Sequence, residues 1–336
     1  MNNHSSSLEI SHFPVMLSEV ISISSPLEGG IYLDCTFGGG GYSKQLLKFS
    51  KTIVKGLDRD DKVSKIAKKL EKKFPKRFKF YQTTFSQLDL VTKDLVDVII
   101  FDLGLSSIQL NDFKRGFSFK SNKDLDMTMG LNKISAQHVI NELSELELKL
   151  IIKILGEEKE GAKIAKNIVK SRIDKKIVKV KDLVEIIKKS KKKNYSNKIN
   201  PCTKTFQAIR IFVNKEITEL IYGIINATKI LKPGGKLVII SFHSIEDKII
   251  KFFFNNFSSN KSKPSRYLPA QDNSSSFLFE NYKNNVLKPS KEEIIQNNRS
   301  RSAKLRYAIR SKNKFYQPVE LIKKFKRYLD LEGIDV

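Results

Sequence analysis

Apolar residues in this chain gather into short runs that end on a carboxylate or a turn. Ile31-Tyr32-Leu33 runs into Asp34, and Thr52-Ile53-Val54-Lys55-Gly56-Leu57 runs into Asp58. Phe78-Lys79-Phe80-Tyr81-Gln82 alternates and is followed by Phe85. Val96-Asp97-Val98-Ile99-Ile100-Phe101 ends on Asp102, and Lys236-Leu237-Val238-Ile239-Ile240-Ser241 follows the turn Pro233-Gly234-Gly235. Short runs rich in β-branched residues read as strands. Between them the spacing turns helical, at Ser43-Lys44-Gln45-Leu46-Leu47 and in a Lys-rich helix through Ala67 and Leu70. Alternating strands and helices predict an α/β fold, a doubly wound Rossmann-like sheet. Leu305-Arg306-Tyr307-Ala308-Ile309 is expected to add a closing strand.

The alternation breaks after the fourth strand. Far more chain lies between it and Pro201 than a normal βα connection needs, and its pattern is helical. Ser144-Glu145-Leu146-Glu147 is a capping box, with Leu146, Leu150 and Ile154 as the apolar stripe up to a stop at Gly156. Ala162, Ile164, Ala165, Ile168 and Val169 mark another helix, and Leu183, Val184, Ile186 and Ile187 a third. The expected organisation is a sheet domain over residues 1–112, an inserted helical domain over 113–200, and the rest of the sheet domain over 201–312. A helix from about Thr205 to Leu231 returns the chain to the sheet. Residues 258–298, rich in Ser, Asn, Lys and Pro, read as a mobile surface loop, and 313–336 as a basic tail.

Candidate chemistry concentrates at Asp34-Cys35-Thr36-Phe37-Gly38-Gly39-Gly40-Gly41, where the first strand turns into a helix. Glycines there let backbone approach a ligand closely. A dinucleotide fingerprint fits poorly, because its third glycine position falls on Ser43. An acid followed four residues later by Gly-x-Gly suits S-adenosylmethionine better, since an acid can hold that cofactor's charged amine. Asp58 is placed to accept from ribose hydroxyls, and the Phe85 ring to pack on adenine. One acid at a strand end is often only a turn residue; three in successive βα units argue for a site.

Charge adds a partner class. Lys and Arg number 62 against 36 acids, a net of +26, and residues 159–198 hold fifteen bases against four acids. A concentrated basic face attracts a phosphate backbone. The fifty-one lysines against eleven arginines also fit a general lysine bias, in which much of the charge is a solvated surface. No apolar run reaches membrane-spanning length, and Met1 to Ser7 lacks signal-peptide character. Cys35 and Cys202 offer no metal spacing and suit a reducing cytoplasm. The expectation is a cytoplasmic protein without a metal, off the membrane, with its oligomeric state undetermined.

A resemblance sharpens this picture. Its blocks are His12-Phe13-Pro14-Val15-Met16-Leu17, the Asp34–Gly41 turn, Asp102-Leu103-Gly104-Leu105-Ser106-Ser107 with Gln109-Leu110, Arg115-Gly116-Phe117-Ser118-Phe119 and Leu125-Asp126-Met127. Pro201 with Thr203 to Asn214, Ile239 to Asp247, and Arg301-Ser302-Ala303-Lys304-Leu305-Arg306 complete the set. On these the chain resembles the bacterial 16S ribosomal RNA cytosine-N4 methyltransferases of the RsmH (MraW) type. The resemblance implies a class I methyltransferase sheet using S-adenosyl-L-methionine on a cytidine amine in the decoding region of the small ribosomal subunit. It implies cofactor contacts at Gly40, Gly41, Tyr42, Asp58, Phe85, Asp102 and Gln109. The chain departs from the pattern at Tyr42, where histidine is usual, at Ile108, where proline is common, at Thr128, where arginine is usual, and in Lys159-Glu160-Gly161.

Methyl transfer from a sulfonium is an in-line displacement that needs no metal. A cytosine amine is a poor nucleophile because its lone pair is delocalised, so an acceptor on its hydrogens helps to aim it. Asp102 is the candidate, as hydrogen-bond or proton acceptor, or as a residue that only holds cofactor. Its loop, Leu103-Gly104-Leu105-Ser106-Ser107, lacks the Pro-Pro-aromatic sequence of related amino-methyltransferases. His243 at the end of the fifth strand is either a substrate-side group or a helix cap. Arg115-Gly116-Phe117-Ser118-Phe119 either stacks on a displaced base or packs into the core. Two alternatives stay open: a methyltransferase with another target, such as an adenine amine or DNA, and a non-catalytic nucleic-acid-binding protein on the same fold.

Overall fold

The structure is a computed structural model that describes residues 14–26, 29–191, 200–259, 277–280 and 282–336. His12 and Phe13 of the first matching block lie outside them. Among the described residues, seven strands make one sheet: β1 (Ile31–Asp34), β2 (Ile53–Asp58), β3 (Phe78–Gln82), β4 (Val96–Asp102), β5 (Leu231–Ser241), β6 (Phe279–Glu280) and β7 (Lys304–Arg310). The helices in chain order are α1 (Leu17–Ser24), α2 (Gly41–Leu46), α3 (Ser64–Lys73), α4 (Ser107–Asn111), α5 (Ala136–Glu142), α6 (Glu145–Ile154) and α7 (Gly161–Asp174). They continue as α8 (Val180–Ser190), α9 (Thr203–Asn214), α10 (Glu216–Ile230), α11 (Ser244–Asn256), α12 (Lys291–Gln296) and α13 (Val319–Glu332).

The strand order is β3-β2-β1-β4-β5-β7-β6. β3 to β5 are parallel, while β7 enters antiparallel beside β5 and pairs with β6 at the edge. The near-continuous apolar runs have a simple cause: both faces of the central strands are covered. In β4, Ile99 and Phe101 join one core while Val98 and Ile100 join the other, and β5 splits Leu237 and Ile239 from Val238 and Ile240 in the same way. The order reverses between β1 and β4. That switch point opens a crevice at the carboxyl ends of the strands, where Asp34, Asp58 and Asp102 sit.

The doubly wound sheet and the inserted helices are both present. The insertion's core is continuous with the sheet's, since Leu148, Ile151, Ile164 and Leu183 belong to the same cluster as Ile99 and Phe101. Several sequence expectations need correction. In α6 the buried stripe is Leu148, Ile151 and Ile152, and Leu146 stands exposed. The single helix from Thr205 to Leu231 is two, because Lys215 takes a left-handed conformation (φ 49°) that ends α9 and starts α10. Residues 258–298 are not simply a surface loop: Leu278 and Phe279 are buried, β6 pairs with β7, and α12 sits over the start of α1. Residues 260–276 and 281 lie outside the described residues. The basic tail is largely the helix α13, which buries Leu321, Phe325 and Leu331 against α9, α10 and α11. Its apolar stripe repeats near the helical period, so it folds back onto the core despite its lysines.

Candidate active site

The turn after β1 is stitched between its neighbours. Cys35 N donates to Ile100 O at 2.9 Å and Phe37 N to Leu57 O at 2.9 Å, so the chain rides from β4 toward β2. Gly38 N then donates to Asp58 Oδ2 at 2.8 Å. Two glycines have separate reasons. Gly40 has φ +72°, and a Cβ there would meet the Phe37 ring at 2.8 Å. Gly41 opens α2, and a Cβ there would lie 2.2 Å from Pro14 Cγ. Close approach of the N-terminal segment to the turn therefore dictates Gly41.

The three strand-end acids behave differently. Asp34 is fully buried behind the turn, where its Oδ2 accepts from Ser43 N at 3.2 Å and Ser43 Oγ at 2.6 Å. Burial pushes its pKa up to about 6 in spite of those bonds. It holds α2 and is not among the residues that line the cavity, so the structure does not bring its carboxylate to the cofactor-amine role expected from sequence. Asp58 accepts from Gly38 N and, at 2.9 Å, from Asp60 N; burial lifts it to about 6. Asp102 lines the cavity. Its backbone N donates to Thr36 Oγ1 at 2.7 Å, and its Oδ2 lies 3.3 Å from Tyr42 Oη. Burial pushes it to about 8 against the Tyr42 bond, with Asp34, Glu246 and Glu293 adding like charge. The Tyr42 hydroxyl also lies 2.5 Å from Val15 O, so it ties the Asp102 carboxyl to the N-terminal segment.

These groups surround a cavity of about 420 Å³, within the range of small-molecule sites. Gly41, Tyr42, Asp102 and Gln109 line it together, with Thr36, Phe37, Gly38 and Gly39. Gly40 shapes the turn, and Asp58 acts one bond away through Gly38. Phe85 is not brought to the cavity: it is half-buried, packs edge-on against Phe101 with centroids 5.2 Å apart, and faces Gly223 of α10. Gln109 is held on both sides. Its Oε1 accepts from Ser106 N at 3.0 Å in a capping box, and its Nε2 donates to Asp60 Oδ2 at 2.8 Å.

Asp60 is also the partner of Arg115, which reaches it from the start of the insertion and donates to Thr128 O at 2.8 Å. Burial opposes the charge on Asp60, but the bonds from Gln109 and Arg115 outweigh it and hold its pKa below the ordinary value. Of the two readings of Arg115–Phe119, packing holds. Arg115 and Phe117 are buried, one over the other, and Phe119 meets the Phe206 ring at 6.1 Å. His243 likewise takes the capping role: it precedes α11, and its Nδ1 accepts from Glu246 N at 3.5 Å.

Sequence reasoning assigned no role to Arg210, Phe242, Asn297, Asn298, Arg299, Arg301 or Ser302, which also line the cavity. The signal was there, because Arg210, Phe242, Arg301 and Ser302 lie inside the matching blocks. The strap over residues 290–302 is tied down where Glu293 Oε1 accepts from Met16 N at 2.9 Å and Arg299 donates to Asn111 Oδ1 at 3.0 Å.

Comparison with known proteins decides the family. The model of the MraW methylase family matches residues 9–311. The chain belongs to the MraW methylase family. It is 41% identical over 300 residues to the ribosomal RNA small subunit methyltransferase H of Bartonella bacilliformis, covering 89% of this chain and 90% of that protein. The protein of the same name from Ehrlichia canis is 41% identical over 300 residues, covering 88% and 98%. An MraW methylase needs a place for S-adenosylmethionine, and the residues present fit it. Asp102 Oδ1 is buried with no hydrogen-bond partner among the described residues, and it belongs to a side chain on the cavity wall. A cation beside it offsets the cost of ionising it there.

Proposed function

We propose that this chain transfers the methyl group of S-adenosylmethionine to the exocyclic N4 of a cytidine in the decoding region of 16S ribosomal RNA. The observation that carries the reading is Asp102, a carboxyl on the wall of a cavity at the sheet's switch point in a member of the MraW methylase family. When bound, the cofactor supplies an electrophilic methyl on a sulfonium. The glycine turn, fixed by Asp58, presents backbone to it, and Tyr42 and Gln109 close the cavity around it. Phe85 packs edge-on against Phe101, the residue before Asp102. Asp102 accepts a hydrogen from the incoming amine, which turns its lone pair toward the methyl and gives the proton a place to go. Lys163, Lys166, Lys170, Lys181, Lys188 and Lys189 are exposed on α7 and α8, where they meet the phosphate backbone of the subunit RNA. No helix among the described residues is long and apolar enough to cross a membrane. The protein works in the cytoplasm, where that RNA is.

Labelled S-adenosylmethionine incubated with small-subunit RNA and the full-length protein tests the reading. Label is expected on N4 of one decoding-region cytidine; label on another base, or none on free RNA, whole subunits and assembly intermediates alike, would refute it.

Cofactor affinity should also depend on pH. Asp102 is neutral in the empty site below about pH 8, whereas a cationic ligand favours its ionised form. Binding below that value therefore releases a proton, and the Kd of S-adenosylmethionine should fall as pH rises from 6 toward about 8, then level off. Calorimetry in two buffers of different ionisation enthalpy reads the proton directly; a flat Kd across the window would show that Asp102 does not face the cation.

A further inference from the structure

The far wall of the cavity has a residue arranged for recognition. Across the sheet from β1 to β4 to β5, the strand ends carry Asp34, then Asp102, then Phe242. A group bound beyond Asp102, on the side away from the glycine turn, therefore meets Phe242 and Arg210, and both line the cavity. Arg210 comes from α9, and the carboxylate of Glu216 takes its Nε at 2.7 Å and its Nη2 at 2.8 Å. This fork fixes the guanidinium plane. Burial opposes the charge, but Glu216 overcomes it and raises the pKa. Arg210 Nη1 makes no hydrogen bond to the described residues, so its N–H groups are the donors left for a ligand.

Phe242 is held just as firmly. Glu246 Oε2 accepts from Phe242 N at 2.8 Å and from His243 N at 3.3 Å. The ring lies against the turn after β4, 3.5 Å from where a Cβ on Gly104 would be. Glu216, His243 and Glu246 bring possible metal ligands within 4.8 Å of one another. Both oxygens of Glu216 are already engaged by Arg210, so a guanidinium supplies the positive charge in this cluster.

We propose that Arg210 is a specificity-determining residue that reads the target base: its remaining N–H donors meet the O2 and N3 acceptors of cytosine while Phe242 packs on the ring. This deepens the cytidine-methyltransferase reading above and rests on it. Cytosine carries O2, N3 and the amine along one edge, so a donor fixed on the first two aims the third at Asp102. Uracil has an N–H at N3, which would oppose a guanidinium donor, and adenine's Watson–Crick edge offers a single acceptor, N1, beside its amine. A site built around donors rejects a base that leaves them unpaired. Reading an extruded base on this edge with an aromatic ring on its face is a common solution to the problem.

Titration of the full-length protein with CMP and UMP, in the presence of S-adenosylhomocysteine, tests the assignment. The wild type should prefer CMP by about tenfold or more. R210M should bring the two nucleotides to within about twofold and raise KM for RNA, leaving the Kd of S-adenosylmethionine unchanged. R210K should fall between them, because it keeps charge without the fork. R210M leaves Glu216 unpaired, so R210M/E216Q is measured beside it, with the same loss of preference expected. An unchanged CMP-to-UMP ratio in the double variant overturns the proposal, and so does a loss that falls on S-adenosylmethionine binding. The wild-type product separates this inference from its premise: methylated cytidine with an unchanged ratio defeats only the role of Arg210, whereas another methylated base defeats the premise.

Discussion

Asp102→Asn should abolish methyl transfer, by a factor on the order of 10²–10⁴, and leave the protein folded and more stable near neutral pH. Asparagine matches the shape of the carboxyl, so Thr36 and the cavity wall stay in place, but the amide cannot take the amine proton. The stability gain follows from burial. In the folded protein Asp102 titrates at about 8, against an ordinary value of 3.8. Between those values the native state holds a proton that the unfolded chain has released, so this group's contribution makes the protein less stable as pH rises through that window. Below pH 3.8 both states are protonated and the penalty vanishes. Asparagine has no proton to lose and removes the slope. Single-turnover transfer and thermal melts from pH 5 to 9 check both halves. Full activity in the variant would take Asp102 out of the mechanism, and an unchanged melting profile would mean that its carboxyl is hydrated.

The second large effect lies at the buried Asp60–Arg115 pair. Arg115→Met should cost about 3–5 kcal/mol of stability, because it leaves a sealed carboxylate without its cation. Asp60 is 1% exposed and, among the described residues, keeps only Gln109 and Lys62 N as remaining donors. The same change loosens Gln109, whose amide shares Asp60 Oδ2 with Arg115, and should weaken cofactor binding too. D60N/R115M should recover most of the stability, since it removes the stranded charge. Urea denaturation of the three proteins, with cofactor titrations alongside, makes the comparison. A loss under about 1 kcal/mol in R115M would place the pair among exposed ion pairs of little worth.

The Asp60–Arg115 contact also ties the insertion to the cofactor side of the sheet. Arg59 reinforces it by donating to Asn214 O at 2.9 Å and Asn132 Oδ1 at 2.7 Å, and Gly130 packs directly on the Arg59 backbone. The turn after β2 is thus clamped by residues from the insertion and from α9. Sequence reading had Asp58 as the functional acid of this turn, and the clamp two residues later went unseen.

Local chemistry was legible in the chain. Strand runs, their closing acids, the glycine turn and the cap at Ser144 depend on neighbours a few residues apart, and the pattern of side chains specifies them. Which acid faces the cavity was not legible, because Asp34, Asp58 and Asp102 occupy equivalent positions in successive units and differ only in what packs against them. Ser43 takes Asp34, Gly38 takes Asp58, and Asp102 alone lines the cavity. Phe85 shows the same dependence on packing: its position after β3 suits a ligand, and Gly223 leaves a hollow in α10 against which its ring lies. Arg210, Phe242 and the strap reach the site from segments far apart in the chain, and no local pattern encodes such a meeting. The chain by itself determined the elements and the chemistry at their ends; the tertiary structure decided which of those groups share a wall, because burial and long-range pairing are properties of the packed whole.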